Sequence, residues 1–260
     1  MTVAPKIQSL ERALNVLGMF GPQTPTLSLS EIAEALGAYP STTHRLLLTL
    51  EEASFLRRDE ATNRYQLGPR LLELAGHVLA QYDMRAIAVP RMRELVDAVG
   101  ETAGMCYYER GEIVFMDTIP GTHPVMITLR VGGRAQAHCA AGGRAILAHL
   151  PHEAERLAAT ELGKCSAGVD FRGRRLLREL DGIRERGFSY DEGTYLDGIN
   201  AAAAAILDHE DRPVAGLVVT GPAVRLPRKR LLEVGVIVRT AAADVSTELR
   251  SKARAVTTGD

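Results

Sequence analysis

Residues 28–50 read SLSEIAEALGAYPSTTHRLLLTL, and the N-terminal fold is decided there. Ser28 and Glu31 stand three apart ahead of an apolar-periodic run. That is the spacing of a capping box, in which hydroxyl and carboxylate each satisfy one orphan amide of a helix start. Leu29, Ile32, Ala33 and Leu36 make one stripe of a short helix, and Gly37 stands where a left-handed C-terminal cap belongs. Pro40 suits the first turn of a following helix whose inward positions are Thr43, Leu46, Leu47 and Leu50. A turn of about 100° per residue then sends Ser41, Arg45, Leu48 and Glu52 outward. Two short helices joined by a glycine-containing turn, the second offering Ser and Arg near its start, form a helix-turn-helix.

Upstream, Leu10, Ala13, Leu14 and Leu17 predict an earlier helix with one buried stripe, ended by Gly18 and Gly21-Pro22. Downstream, Phe55–Arg58 and Arg64–Leu67 flank the polar turn Asp59 to Asn63, which predicts a hairpin wing carrying Arg57, Arg58 and Arg64. After Gly68-Pro69, the positions Leu71, Leu72, Ala75, Val78, Leu79 and Tyr82 keep a 3-4 spacing too long for the small head's own core. They predict a linker helix and a dimer contact. Another helix, Met84 to Val99, contains Pro90, which should kink or restart it.

Beyond Gly100, strand-like runs at 103–108, 113–118, 125–129, 199–207 and 214–220 alternate with helical runs at 143–150, 172–186 and 231–249. The expected class is α+β: a winged helix-turn-helix over 1–68, a linker helix over 69–83, a mixed domain with a mostly antiparallel sheet over 84–250, and a flexible tail over 251–260.

Composition bounds the function. A chain of 260 residues, 46% hydrophobic and 24% charged, favours two globular domains. The formal net charge is -1, and residues 1–70 hold seven basic and seven acidic side chains. Any nucleic-acid contact must therefore come from local geometry rather than overall field. No apolar run approaches the roughly 18 residues of a membrane span, and the polar start lacks the apolar core of a secretory signal, so the cytoplasm is expected. Cys106, Cys139 and Cys165 are odd in number and widely spaced, which suggests reduced small hydrophobes rather than a disulfide or a thiolate metal site.

Adjacent His138 and Cys139 would point to opposite faces of an extended segment, and G-x-S-x-G and complete Walker A patterns are absent, so an enzyme is not expected. His149 and His152 have a metal-compatible spacing, but Pro151 between them ends a helix reading. No metal and no cofactor are expected.

Candidate contact residues follow from these placements. Arg45 suits guanine edges or phosphate, with Ser41, Thr42 and Thr43 beside it, although Thr43 faces largely inward. Arg57, Arg58 and Arg64 suit phosphate clamping by the wing, or pairing with Asp59 and Glu60. A neutral head needs two copies on a dimer to bind usefully. In the second domain, Gly142 and Gly143 at a helix start would let a small anion approach bare amides, or would serve close packing. Asp191 would accept a hydrogen bond from a ligand hydroxyl, or cap a turn. Ala201, Ala203 and Ala205 share one face, leaving room for a ligand or for a helix. Met105, Met116 and Met126 would line a pocket or fill a core.

The chain resembles the isocitrate-lyase-regulator (IclR) family of bacterial regulators over roughly residues 6–250. In the head the resemblance rests on Ile7 to Leu14, Ser41-Thr42-Thr43-His44-Arg45-Leu46-Leu47 and Arg64-Tyr65-Gln66-Leu67-Gly68. In the second domain it rests on His138 to Ala145, Arg184 to Phe188 with Asp191-Glu192, Asp197-Gly198-Ile199-Asn200, and Val214 to Pro222. It implies a GAF-like effector domain, dimers or dimers of dimers, double-stranded operator DNA as partner, and a small-molecule effector from catabolism. By motif position, the effector pocket involves the Ala141-Gly142 backbone, the Asp191 side chain, Ile199 and Ala201, with Met126 on its wall. The chain departs from the family at Tyr39-Pro40, at Ser54 where a glycine commonly leads into the wing, and at Ala201, often a cysteine, whose loss enlarges the inferred pocket. The alternative is a metabolite-binding protein whose winged helix makes protein contacts.

Overall fold

A computed structural model describes residues 7–80, 83–160, 162–163, 165–166, 171 and 173–257, without the side chains of 76–80, 83 and 253–257. The chain divides into two compact units, Met1–Gln81 and Tyr82–Asp260. In the first, α1 (Gln8–Gly18), α2 (Leu29–Leu36) and α3 (Pro40–Glu52) precede the antiparallel hairpin β1 (Leu56–Arg58) and β2 (Tyr65–Leu67), and α4 (Arg70–Ala80) follows.

The local signals operate as read. The Ser28 hydroxyl accepts from the Glu31 amide at 3.3 Å, and the Glu31 carboxylate accepts from the Ser28 amide at 2.6 Å. Gly37 ends α2 at φ 58°, in the left-handed region that costs glycine nothing. Val16, Ile32, Leu47, Leu50, Leu56 and Tyr65 form the core of the head.

The stripe expected of α1 is only partly inward. Ala13 and Leu17 pack against that core, whereas Leu10 and Leu14 are 55% and 60% exposed. Leu72 on α4 is 77% exposed. The side chains of Val78, Leu79 and Tyr82, expected on the same stripe, lie outside the described residues.

The second unit opens with α5 (Asp83–Val99), which continues through Pro90. A six-stranded sheet follows, ordered β5-β4-β3-β8-β7-β6, with every neighbouring pair antiparallel. Its strands are β3 (Thr102–Glu109), β4 (Glu112–Ile119), β5 (Arg134–Gln136), β6 (Ser189–Glu192), β7 (Ile199–Leu207) and β8 (Pro213–Pro222). On one face lie α6 (Ala141–Leu147), α7 (Pro151–Ala158) and α8 (Gly173–Arg186). On the other lie α5 and α9 (Arg228–Thr257), and α9 carries on into the stretch expected as a tail.

The alanine run of β7 is explained by this layering. Ala201 and Ala203 belong to the core beneath α6, while Ala202 and Ala204 are equally buried, and helices pack on both faces of the strand. Small side chains let both close in.

Three expectations change. Residues 125–129 form an irregular loop rather than a strand. Pro151 opens α7 at its first turn instead of merely ending a helix, as its missing amide permits. Cys139 and Cys165 are joined in a disulfide, and only Cys106 is a free thiol among the described residues.

Candidate DNA-reading head and ligand cavity

The capped turn between α2 and α3 sets the outward face of α3. Ser41, Thr42 and Arg45 are exposed on it, and Arg45 makes no ion pair among the described residues. Thr43 is 1% exposed and donates its hydroxyl to the Tyr39 carbonyl at 3.2 Å, so its side chain serves the head's packing and not a base edge.

In the wing, Arg57 and Arg58 are exposed. Arg58 donates to the Asn63 side chain at 2.6 Å, and Arg57 Nε and Nη2 lie 2.8 and 2.6 Å from the Gln66 amide oxygen in its hydrogen-bonding orientation. Neither is tied to a carboxylate among the described residues. Arg64 differs. Its guanidinium donates to Thr26 Oγ1 and to the Thr26 carbonyl, each at 3.0 Å, and pairs with Glu31 at 2.9 Å. It fastens the wing to the start of α2 instead of pointing at a ligand. The Glu31 carboxyl is held below its ordinary range by the Ser28 amide and hydroxyl and then by Arg64.

In the second unit a cavity of about 250 Å³ opens beside the start of α6. Five of the six expected positions, Ala141, Gly142, Asp191, Ile199 and Ala201, line it. Ile113 and Phe115, alternate residues of β4, join them, as do Ile127, Leu129, Leu196 and Val218. Met126 does not. It is 39% exposed, because the extended loop that sends Ile127 and Leu129 inward turns Met126 away. Met105 and Met116 are buried in the core and also absent from the lining. The loop is fixed by the Thr102 hydroxyl, which donates to the Ile127 carbonyl at 2.6 Å, and by Arg225 Nη2, which donates to the Val125 carbonyl at 2.8 Å.

The glycines of α6 are packing devices. A Cβ on Gly143 would stand 2.2 Å from the Ala137 carbonyl oxygen, and one on Gly142 would stand 2.8 Å from Cys106 Sγ. That packing brings the residues 140–142 to the cavity, and the amides of Ala141 and Gly142 have no partner among the described residues. Asp191 is buried and accepts from the Thr194 amide at 2.5 Å and the Tyr195 amide at 3.1 Å. It therefore caps a turn while lining the cavity. Burial pushes its carboxyl above the ordinary range, and the nearby Arg144 charge opposes that.

Residues 138–140 form a turn, not an extended segment, so His138 Nε2 comes within 3.3 Å of Cys139 Sγ. With that sulfur bonded to Cys165, the pair offers no thiolate nucleophile. Cys106 is buried and its thiol pushed up to about 12 by desolvation, which leaves it unreactive. Lining residues such as Ile113 and Phe115 were foreshadowed only by period-two alternation, which cannot say which face holds a cavity.

A winged head with an uncovered third helix, joined to a sheet domain with an apolar cavity, defines a ligand-responsive regulator of transcription. Residues 9–60 match the family described as IclR helix-turn-helix domain, and residues 76–247 match that described as Bacterial transcriptional regulator IclR C-terminal. The chain is 29% identical over 245 residues to the Transcriptional repressor IclR of Escherichia coli (strain K12), covering 93% of this chain and 89% of that one. It is 30% identical over 246 residues to the HTH-type transcriptional regulator KipR of Bacillus subtilis (strain 168), covering 94% and 98%. Among solved structures, an IclR homolog from Microbacterium hydrocarbonoxydans complexed with 4-hydroxybenzoate superposes with a TM-score of 0.83 at 25% identity, covering 94% and 100%. The chain belongs to the IclR family of bacterial transcriptional regulators. It is a DNA-binding regulator and not an enzyme.

Proposed function

We propose that α3 enters the major groove of an operator with Arg45 on a base edge, Ser41 and Thr42 on base or backbone, and Arg57 and Arg58 of the wing on phosphates. The carrying observation is that Arg45, Arg57 and Arg58 are exposed and, among the described residues, held by no carboxylate, whereas Arg64 is already committed. The head is neutral, so useful affinity comes from two heads engaging half-sites about one helical turn apart, or a multiple of it. The exposed leucines of α1 and α4 supply an apolar face for the dimer, and a dimer of dimers extends the same logic. As a regulator of bacterial genes the protein works in the cytoplasm.

The effector in this reading is a compact organic acid or small aromatic catabolic intermediate. A volume of about 250 Å³ lies near the lower end of ligand pockets, roughly 300–1,000 Å³. The lining is chiefly apolar, with the Ala141 and Gly142 amides for a carboxylate and the remaining lone pairs of Asp191 for a hydroxyl. The 4-hydroxybenzoate of the Microbacterium relative has that chemistry. Such a ligand acts through its differential affinity for two arrangements of the heads, communicated along α4.

The experiment is a fluorescence-anisotropy titration on DNA flanking the gene, at two salt concentrations, with and without 4-hydroxybenzoate and related acids. Sequence-preferring, salt-sensitive binding that a ligand shifts supports the reading. In thermal-shift assays Ala141→Trp should erase a ligand's stabilisation, since a buried indole fills the cavity. A shift that survives that substitution places the ligand elsewhere.

A further inference from the structure

Arg144 is the most unusual side chain of the second unit. It is 1% exposed, yet no carboxylate touches it among the described residues. Nη1 donates to the carbonyls of His138 at 3.2 Å and Cys139 at 2.5 Å, and Nη2 donates to that of Tyr190 at 2.7 Å. Nε is buried without a partner. Neutral carbonyls satisfy hydrogen bonds but leave the charge uncompensated, and a buried ion without a counter-ion is expensive. Burial accordingly pushes the Arg144 guanidinium down from its ordinary value, with Asp191 opposing from a distance.

Arg144 also lines a second, open depression of about 530 Å³, separate in its lining from the cavity above, between α8 and β6. Phe171, Arg175, Arg178, Tyr190 and Thr194 share it. The Phe171 ring lies 4.6 Å from the Arg144 guanidinium carbon and 5.4 Å from that of Arg175. Arg175 and Arg178 are exposed and pair with no carboxylate among the described residues. The two acidic groups on the rim are already taken, Glu179 by Arg186 at 2.6 Å and Glu192 by Arg228. Arg186 and Arg228 also sit over the Tyr190 ring, at 4.9 and 5.3 Å. Among the described residues, five guanidinium groups, Arg144, Arg175, Arg178, Arg186 and Arg228, thus stand around the two carboxylates of the rim, with Asp191 acting on Arg144 from further off, in a chain whose overall formal charge is -1. Such a local excess of cations is retained at a cost unless an anion joins them.

We propose that this groove is a second ligand site, for a small phosphorylated metabolite whose phosphate group is held by the exposed Arg175 and Arg178, with the buried Arg144 charge beneath them. Guanidinium forks match phosphate oxygens in geometry, and two of them above a third positive charge suit a dianion better than a single carboxylate. A depression of about 530 Å³ has the size of a small-metabolite site, which favours a small ligand over DNA.

The test is isothermal titration of the full-length protein, at constant ionic strength, with inorganic phosphate, glycerol 3-phosphate and glycerol. Wild type should bind the phosphorylated compounds and not glycerol; tighter binding of the ester than of phosphate identifies the metabolite as the source. The double variant Arg175→Ala/Arg178→Ala alters only exposed side chains and should weaken binding at least about tenfold, the loss expected from a charge-assisted contact. Ala141→Trp should leave it unchanged, which separates this site from the apolar cavity. No binding by either phosphate compound at millimolar concentration, or binding indifferent to the double variant, overturns the proposal. So does binding lost in Ala141→Trp but kept in the arginine variant.

Discussion

At the residue scale, the wing contains arginines of two kinds that the sequence cannot separate. Arg57 and Arg58 are exposed and paired with no carboxylate among the described residues, while Arg64 is spent on Thr26 and Glu31. Arg57→Ala or Arg58→Ala is therefore expected to reduce the slope of log affinity against log salt by about one phosphate contact. Arg64→Ala is expected to leave that slope alone and to lower the melting temperature of the head, and an anisotropy salt series with calorimetry distinguishes the two.

His149 gives a pH prediction. Burial, and then the Arg184 charge, hold its imidazole below the ordinary value, so the unfolded chain binds a proton that the folded chain resists. Stability is fullest above the unfolded pKa and falls as pH drops from there toward the folded pKa. His149→Gln should flatten the decline of melting temperature between neutral and mildly acidic pH. An unchanged slope would show that His149 is not the group responsible.

At the element scale, what the sequence disclosed was what local chemistry dictates. Ser28, Glu31, Gly37 and Pro40 act within a few residues of themselves, and α2, its turn and α3 came out where those signals put them. The strands β5 and β6, of three and four residues, carry too few positions for alternation to register, and residues 125–129 alternate without a neighbouring strand to pair with. In the cavity, Ala141, Gly142, Asp191, Ile199 and Ala201 were placed by motif resemblance, whereas Met126, expected on the wall, lies off the lining because loop orientation is set by tertiary contacts.

The disulfide was invisible for the same reason, since its cysteines are 26 residues apart and only the fold brings them together. A cross-link of that separation is worth ~3–4 kcal/mol in the chain-entropy treatment. Reduction, or Cys165→Ser, should lower the melting temperature of the second unit by several degrees, and a reductant should have no further effect on the variant. Equal melting with and without reductant would contradict the cross-link's structural role.

At the scale of the whole molecule, the apolar faces left open on α1 and α4 bear on assembly. Leu10, Leu14 and Leu72 are 55%, 60% and 77% exposed, and the proposed dimer would bury them. Leu72→Glu is expected to shift sedimentation toward the monomer and to cost operator affinity by more than tenfold through lost avidity, with the ligand cavity intact. A variant that remains oligomeric would move the interface elsewhere.

Operator recognition by the head depends above all on Arg45. The decisive measurement compares wild type and Arg45→Ala for their affinity ratio between DNA flanking the gene and a scrambled duplex of equal length and salt. The expected result is a loss of about 1–3 kcal/mol of discrimination, with non-specific binding nearly preserved. An unchanged ratio would contradict it.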